Sequence, residues 1–283
     1  MSLEVILASI AFIALLVASY TDLRTREVPD WVSYGLIFAA LGIRMIYFFG
    51  KWDWTIIFSG ILGFAAFFLL AFGLYKAHQW GGGDSKLLMG MGAVIGITFP
   101  FDLSSWNLLL FFLSLLFLGA IYGIFWMVYI AITKWKEFVI SFTKHLKQHR
   151  ITQISVWTVS LLLLIFVFNI FPKIWQLSLF IVAAFYLFLF VLSVESGCLF
   201  NKVHVQKLTP GDWLAEDLKK DEKVVKMKTL VKKDIWSLRS LHAKGKVHYV
   251  TIREGIPFIP SFLFAYLALI FGKNIWFWLI GLF

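Results

Sequence analysis

The chain has 283 residues, of which 60% are hydrophobic and 15% charged, with a formal net charge of +10. A soluble globular domain is typically about 45–50% apolar and about 25% charged, so that class is excluded. The single cysteine, Cys198, excludes a disulfide framework and a paired-cysteine zinc site and reads as a buried, inert thiol.

Several runs have the length of about 18 or more apolar residues that a membrane crossing needs. The chain therefore reads as an all-α polytopic membrane protein of about eight spans, near 3–20, 32–49, 55–75, 86–99, 106–132, 154–171, 174–193 and 258–281. The first run carries Glu4 and no basic segment before it, and it is read as an uncleaved helix. Span four is short and holds Gly90, Gly92 and Gly96 at small-residue spacing, which lets helices approach closely in lipid and puts this span at the centre of the bundle. The stretch from Ile154 to Val194 is too long for one crossing, and Asn169, Pro172 and Lys173 break it into a hairpin of two helices.

Lysine and arginine set the orientation. Arg24 and Arg26 follow span one, Lys76 and Lys86 flank the loop before span four, and a basic loop from Lys134 to Arg150 follows span five. With the segment Glu195–Gly255, these places hold 22 of the 26 basic residues, all on one side. The excess of positive charge on the cytoplasmic side then puts both termini outside, in a multi-pass plasma-membrane protein. Arg44, inside span two, is expected to snorkel toward the outer surface. The charge is accounted for by topology, and no nucleic-acid partner is expected.

Glu195–Gly255 is the one sizeable soluble stretch. Val203–Gln206, Val224–Val231 and Lys246–Ile252 alternate like strands, Thr209–Asp212 reads as a turn, and Asp234–His242 reads as a helix. The expected organisation is a transmembrane catalytic domain over 1–194, a small α+β cytoplasmic subdomain over 195–256, and a last transmembrane helix over 257–283. Two readings compete for the lysines of the subdomain: contact with anionic membrane lipid, and a solvated charged face that serves as a topology signal.

Of the 16 carboxylates, most fall in the soluble stretch or in ordinary turns. Asp22 closes span one and Asp84 opens span four, at the same membrane face. Asp84 follows three glycines, Gly81, Gly82 and Gly83, which leave the backbone bare for another chain to approach. Two carboxylates that meet can share one proton, because like charges at close range cannot both ionise. One then takes a proton from water while the other activates a peptide carbonyl, which is hydrolysis without metal, cofactor or covalent intermediate. Asp84 sits at a helix N-terminus and Asp22 at a helix C-terminus, so the dipole assigns Asp84 as the carboxylate and Asp22 as the acid, with Lys86 supporting the charge on Asp84. The competing role for Asp84 is a plain helix N-cap. His78 is expected in the headgroup region with Gln79 and Trp80.

The stretch from Asp22 through Arg24 to Trp31 is similar to the one after the first helix in type IV prepilin and archaeal preflagellin peptidases. Gly81-Gly82-Gly83-Asp84-Ser85-Lys86 matches their second motif, glycine-any-glycine-aspartate, and Gly255-Ile256-Pro257-Phe258-Ile259-Pro260 resembles the start of their last helix. The resemblance implies an intramembrane-type aspartic endopeptidase that cuts short basic leaders from pilin-like or flagellin-like precursors. It implies Asp22 and Asp84 as catalytic residues, with Gly81, Gly82, Gly83, Arg24, Lys86 and Pro257 shaping the site. The zinc-binding CxxC pairs of the bifunctional bacterial members have no counterpart, which implies no zinc and no N-methyltransferase activity. Two other readings compete. A proton- or cation-coupled transporter would use the aspartates as relay groups and Arg44 as part of a conduit. An assembly or scaffolding protein would dock partners on the basic segment.

Overall fold

The computed structural model describes residues 2–77, 79–98, 103–170, 175–209, 212–215, 218–220, 223–225 and 230–272. Among them, six helices are long and apolar enough to cross a membrane: α1 (Leu3–Thr25), α2 (Asp30–Lys51), α3 (Trp54–Lys76), α5 (Asn107–Thr133), α7 (Arg150–Ile170) and α8 (Gln176–Cys198). The helical, polytopic expectation holds, and the two remaining expected spans are occupied by shorter helices. α4 (Gly82–Ile95) has 14 residues. α10 (Ile259–Phe271) has 13, and residues 273–281 of the expected last span lie outside the described residues.

Local chemistry fixes the helix ends. Ser2 accepts the Val5 N–H to start α1, and Asp53 accepts both the backbone N–H and the hydroxyl of Thr55 to start α3. The Thr55 hydroxyl and amide hold the exposed Asp53 carboxyl below the usual carboxylate range. α1 and α2 end on residues in the left-handed region, Arg26 (φ 57°) and Trp52 (φ 54°). α1 runs five residues beyond the expected end at Tyr20, so Asp22 lies in its last turn and is buried there.

The chain divides into two compact units, residues 1–123 with 256–283, and residues 124–255. In the first, α4 packs against α2 and α3 and touches α1, and α1 also packs along α10. Its buried core draws on Leu15, Leu36, Phe67, Leu88, Met91, Phe111 and Phe262. The glycines of α4 act as expected at one crossing in particular. A side chain at Gly63 of α3 would strike the Gly92 carbonyl, and one at Gly92 would strike that of Gly63, so the two backbones touch.

Arg44 does not snorkel. It is 5% exposed, and its guanidinium donates to the carbonyls at the end of α4: Nε to Ala93 (3.0 Å) and Nη2 to Val94 (2.8 Å) and Ile95 (3.5 Å). Nη1 donates to Ile56 of α3 (3.1 Å). The last carbonyls of a helix have no partner within the helix, and in lipid each orphan is costly. The side chain that seemed to belong to the membrane surface is instead the C-terminal cap of α4. Gly60 leaves room for its stem, and Gly96, at φ 71°, turns the chain beneath it.

In the second unit, the basic stretch after α5 is a helix rather than a loop: α6 (Trp135–Gln148) packs on α8 through Phe138 and Phe142. Lys134 caps α8, its Nζ donating to the Cys198 carbonyl (2.6 Å) and the Asn201 side chain (2.9 Å). Cys198 is buried, as expected. The soluble stretch forms a three-stranded antiparallel sheet in the order β1 (Phe200–His204), β5 (Tyr249–Arg253), β2 (Trp213–Leu214), and a separate hairpin of β3 (Leu218–Lys220) and β4 (Lys223–Val225). Helix α9 (Lys232–Ala243) shares a core with that sheet, built from Val205, Leu214, Leu238, Val250 and Ile252. Lys226 to Thr229, part of an expected strand, and the centre of the expected turn at Pro210–Gly211 lie outside the described residues.

Candidate active site

Asp22 and Asp84 both lie in the first compact unit. α1 delivers Asp22 in its last turn, 6% exposed. α4 delivers Asp84 in its first turn, half-buried. The two carboxyl groups lie within electrostatic reach of each other, although 62 positions separate them in the chain.

Each carboxyl group is held by backbone. Asp84 Oδ2 accepts the N–H of Gly81 (3.3 Å), so Asp84 is not the N-cap itself but bonds back to it from the third position of α4. Ser85 closes the same turn, its hydroxyl donating to the Gly81 carbonyl (2.9 Å). Asp22 Oδ2 accepts the buried N–H of Ile259 (2.8 Å). That amide lies in the first turn of α10. Asp22 therefore sits at the C-terminus of α1 and at the N-terminus of α10 simultaneously. With a helix N-terminus facing each carboxyl group, the dipole no longer separates acid from base, and the assignment drawn from the ends of α1 and α4 loses its ground.

The other expected site residues divide. Gly81 and Gly82 are exposed and their backbone is open to approach. Gly83 is not bare: a side chain there would come within 3.2 Å of Val28, in the turn between α1 and α2. Lys86 turns away from Asp84 and bonds Asp30 of α2 at 2.6 Å, lying over the Tyr34 ring at 5.1 Å. Its charge is engaged on α2, so it does not support Asp84 as the sequence suggested. Arg24 is exposed and donates to the Tyr20 hydroxyl (3.3 Å), apart from the pair. Arg26 acts on Asp22 through its charge. Pro257 is buried directly before the turn that holds Asp22.

Two features of the site were not singled out from the sequence. One is the amide of Ile259. The other is Trp80, expected only as a headgroup-belt residue, whose ring meets those of Phe258 and Phe262 at 5.7 Å each. Trp80 thereby ties the glycine turn before Asp84 to the helix that holds Asp22. The signal was present in part: Pro257 and Pro260 mark a helix start, and Trp80 adjoins Gly81. His78 lies outside the described residues. Among the described residues, no group of three His, Cys, Asp or Glu side chains is gathered to hold a metal ion.

Residues 9–124 match the type IV leader peptidase family. The match contains both aspartates and the whole glycine turn, so the resemblance drawn from these motifs holds over this stretch. The preflagellin peptidase of Methanocaldococcus jannaschii is 37% identical over 83 residues, 29% of this chain and 35% of that protein. That of Methanococcus maripaludis is 31% identical over 91 residues, 30% of this chain and 37% of that protein. That of Methanococcus voltae is 32% identical over 87 residues, 31% and 37% of the two chains. The matched stretch spans about a third of the length of each of these relatives.

Proposed function

We propose that this protein is a membrane-embedded aspartic endopeptidase that removes the short basic leader from type IV prepilin-like or preflagellin-like precursors. The observation that carries the reading is that Asp22, in the last turn of α1, and Asp84, in the first turn of α4, lie within electrostatic reach of each other on two helices in contact. The family match over residues 9–124 supports it, as do relatives described as preflagellin peptidases. The positive-inside distribution supports a reaction at the cytoplasmic face of the plasma membrane, just before the precursor's hydrophobic helix.

The chemistry needs only the pair. One aspartate, ionised, takes a proton from water as its oxygen attacks the scissile carbonyl carbon. The other, protonated, donates to the carbonyl oxygen. Collapse of the tetrahedral intermediate breaks the C–N bond, the leaving amine takes a proton, and a carboxyl group and an amine result. The exposed backbone at Gly81 and Gly82 offers an extended substrate chain a surface free of side chains. The transporter reading loses its conduit candidate, because every part of the Arg44 guanidinium is bonded to carbonyls of α3 and α4.

The test is leader cleavage of a co-expressed pilin-like or flagellin-like precursor by wild type, Asp22→Asn and Asp84→Asn. Loss of at least about a hundredfold in rate is expected for each substitution, with normal membrane insertion. Full cleavage by either variant would remove the two-aspartate mechanism.

A further inference from the structure

Asp22 is buried, and its carboxyl group is held from outside its own helix. The donor is a main-chain N–H group at the first turn of α10, that of Ile259 at 2.8 Å. The chain around it is fixed tightly. Pro257 is buried, Pro260 stands in the first turn, and Ile259 is fully buried. The Phe258 ring is wedged between Trp80 and α5, where a side chain at Gly119 would approach it to 2.8 Å. α10 is tied to α1 a second time further along, where the Tyr266 hydroxyl donates to the Ala8 carbonyl (3.4 Å).

We propose that the first turn of α10 is the positioning element of the reaction, and that the Ile259 amide fixes the Asp22 carboxyl group in the orientation from which it meets Asp84. The inference rests on the peptidase reading above. Two facts distinguish this contact from an ordinary helix cap. The capping carboxyl group comes from a residue 237 positions away, one of the two in the pair. The turn that supplies the donor is also the one Trp80 joins to the glycine loop of Asp84, so a single turn of α10 reaches both carboxyl-bearing segments. An aspartate with a free side-chain torsion spends only part of its time in the productive orientation, and a fixed donor removes that loss.

Removing one N–H without removing a side chain tests this. An α-hydroxy acid with the valine side chain, introduced at position 259 in the full-length protein, replaces the 258–259 amide by an ester that has no donor. Ile259→Val is the matched amide. Cleavage of the same precursor is measured for both and for wild type, with kcat and KM separated. Relative to Ile259→Val, the ester is expected to lower kcat by about ten- to hundredfold at nearly constant KM, the loss typical of one hydrogen bond to a charged group. Equal kcat for ester and Ile259→Val overturns the positioning role while leaving the peptidase reading intact. A parallel rise of KM with no change in kcat overturns it too, since that would mark a substrate contact. Absence of cleavage by wild type and Ile259→Val alike would take down the peptidase reading, and this inference with it.

Discussion

An arginine inside a membrane-length helix has two ways to satisfy its charge: reach the headgroups, or find carbonyls within the protein. Arg44 takes the second route, and the difference is measurable. A snorkelling side chain would tolerate Arg44→Lys, because lysine reaches the surface as well. A guanidinium that spans carbonyls of α3 and α4 cannot be replaced by the single point of an ammonium. Arg44→Met should lower the unfolding free energy by about 2–4 kcal/mol, since the end of α4 would be left with unsatisfied carbonyls. Arg44→Lys should lower it by a smaller but clear amount, read by detergent-driven unfolding in mixed micelles. The sequence told the depth of Arg44 but not its neighbours, because the helix end that it caps lies about 50 positions further along. Lys86 was misread for the same reason. It stands two residues from Asp84, yet neighbours i and i+2 on a helix do not face each other, and its partner is on α2. Asp22 and Asp84 were singled out because their residue type, expected membrane depth and glycine context agree, and both lie in the first compact unit.

Between elements, the contact that sets the height of α4 is the crossing of Gly63 with Gly92. Two backbones in contact have no flexible side chain that can give way, so a single methyl group must push the helices apart. Gly63→Ala should cost about 1–3 kcal/mol as overpacking, and it should slow leader cleavage as well, because α4 carries Asp84. Gly35 provides the comparison: a side chain there meets nothing within 4 Å, and Gly35→Ala should leave stability unchanged or slightly raised, since glycine is a poor helix former. Equal effects at the two positions in the same unfolding assay would refute the close-approach account. The spacing of Gly90, Gly92 and Gly96 pointed to α4 as the central helix, and within the first unit α4 packs against α2 and α3 and touches α1. What the spacing could not supply is the partner glycine, and the other two serve different ends: Gly90 faces Leu36, and Gly96 turns the chain at positive φ. α6 was missed because Lys136, Lys144 and Lys147 suggest a solvated loop, while Trp135, Phe138 and Phe142, at helical spacing, carry the apolar stripe that packs on α8.

At the scale of the whole chain, the two aspartates and the α10 turn all lie in one compact unit, while residues 124–255 form the other. The soluble part of that second unit enters and leaves at one place. β1 and β5 are antiparallel partners, with Phe200 opposite Arg253, and the Glu254 N–H donates to the Leu199 carbonyl (2.9 Å). Facing residues in such a pair stand about 5 Å apart, a gap that two residues close. Its core, drawn from Val205, Leu238, Val250 and their neighbours, is a cluster separate from the one around α4. The Arg253–Glu195 ion pair at its base is partly exposed, and a pair of that kind contributes about 0–1 kcal/mol. Replacing residues 200–254 with a two-residue Gly-Ser turn should therefore leave a protein that inserts and still carries the Asp22–Ile259 and Gly81–Asp84 contacts. If the reaction is confined to the unit that holds the pair, this variant should cleave a precursor with kcat within about tenfold of the full chain, any larger change falling on KM through lost recognition of the precursor. A collapse of kcat in a variant that inserts normally would instead make the lysine-rich subdomain part of the catalytic assembly.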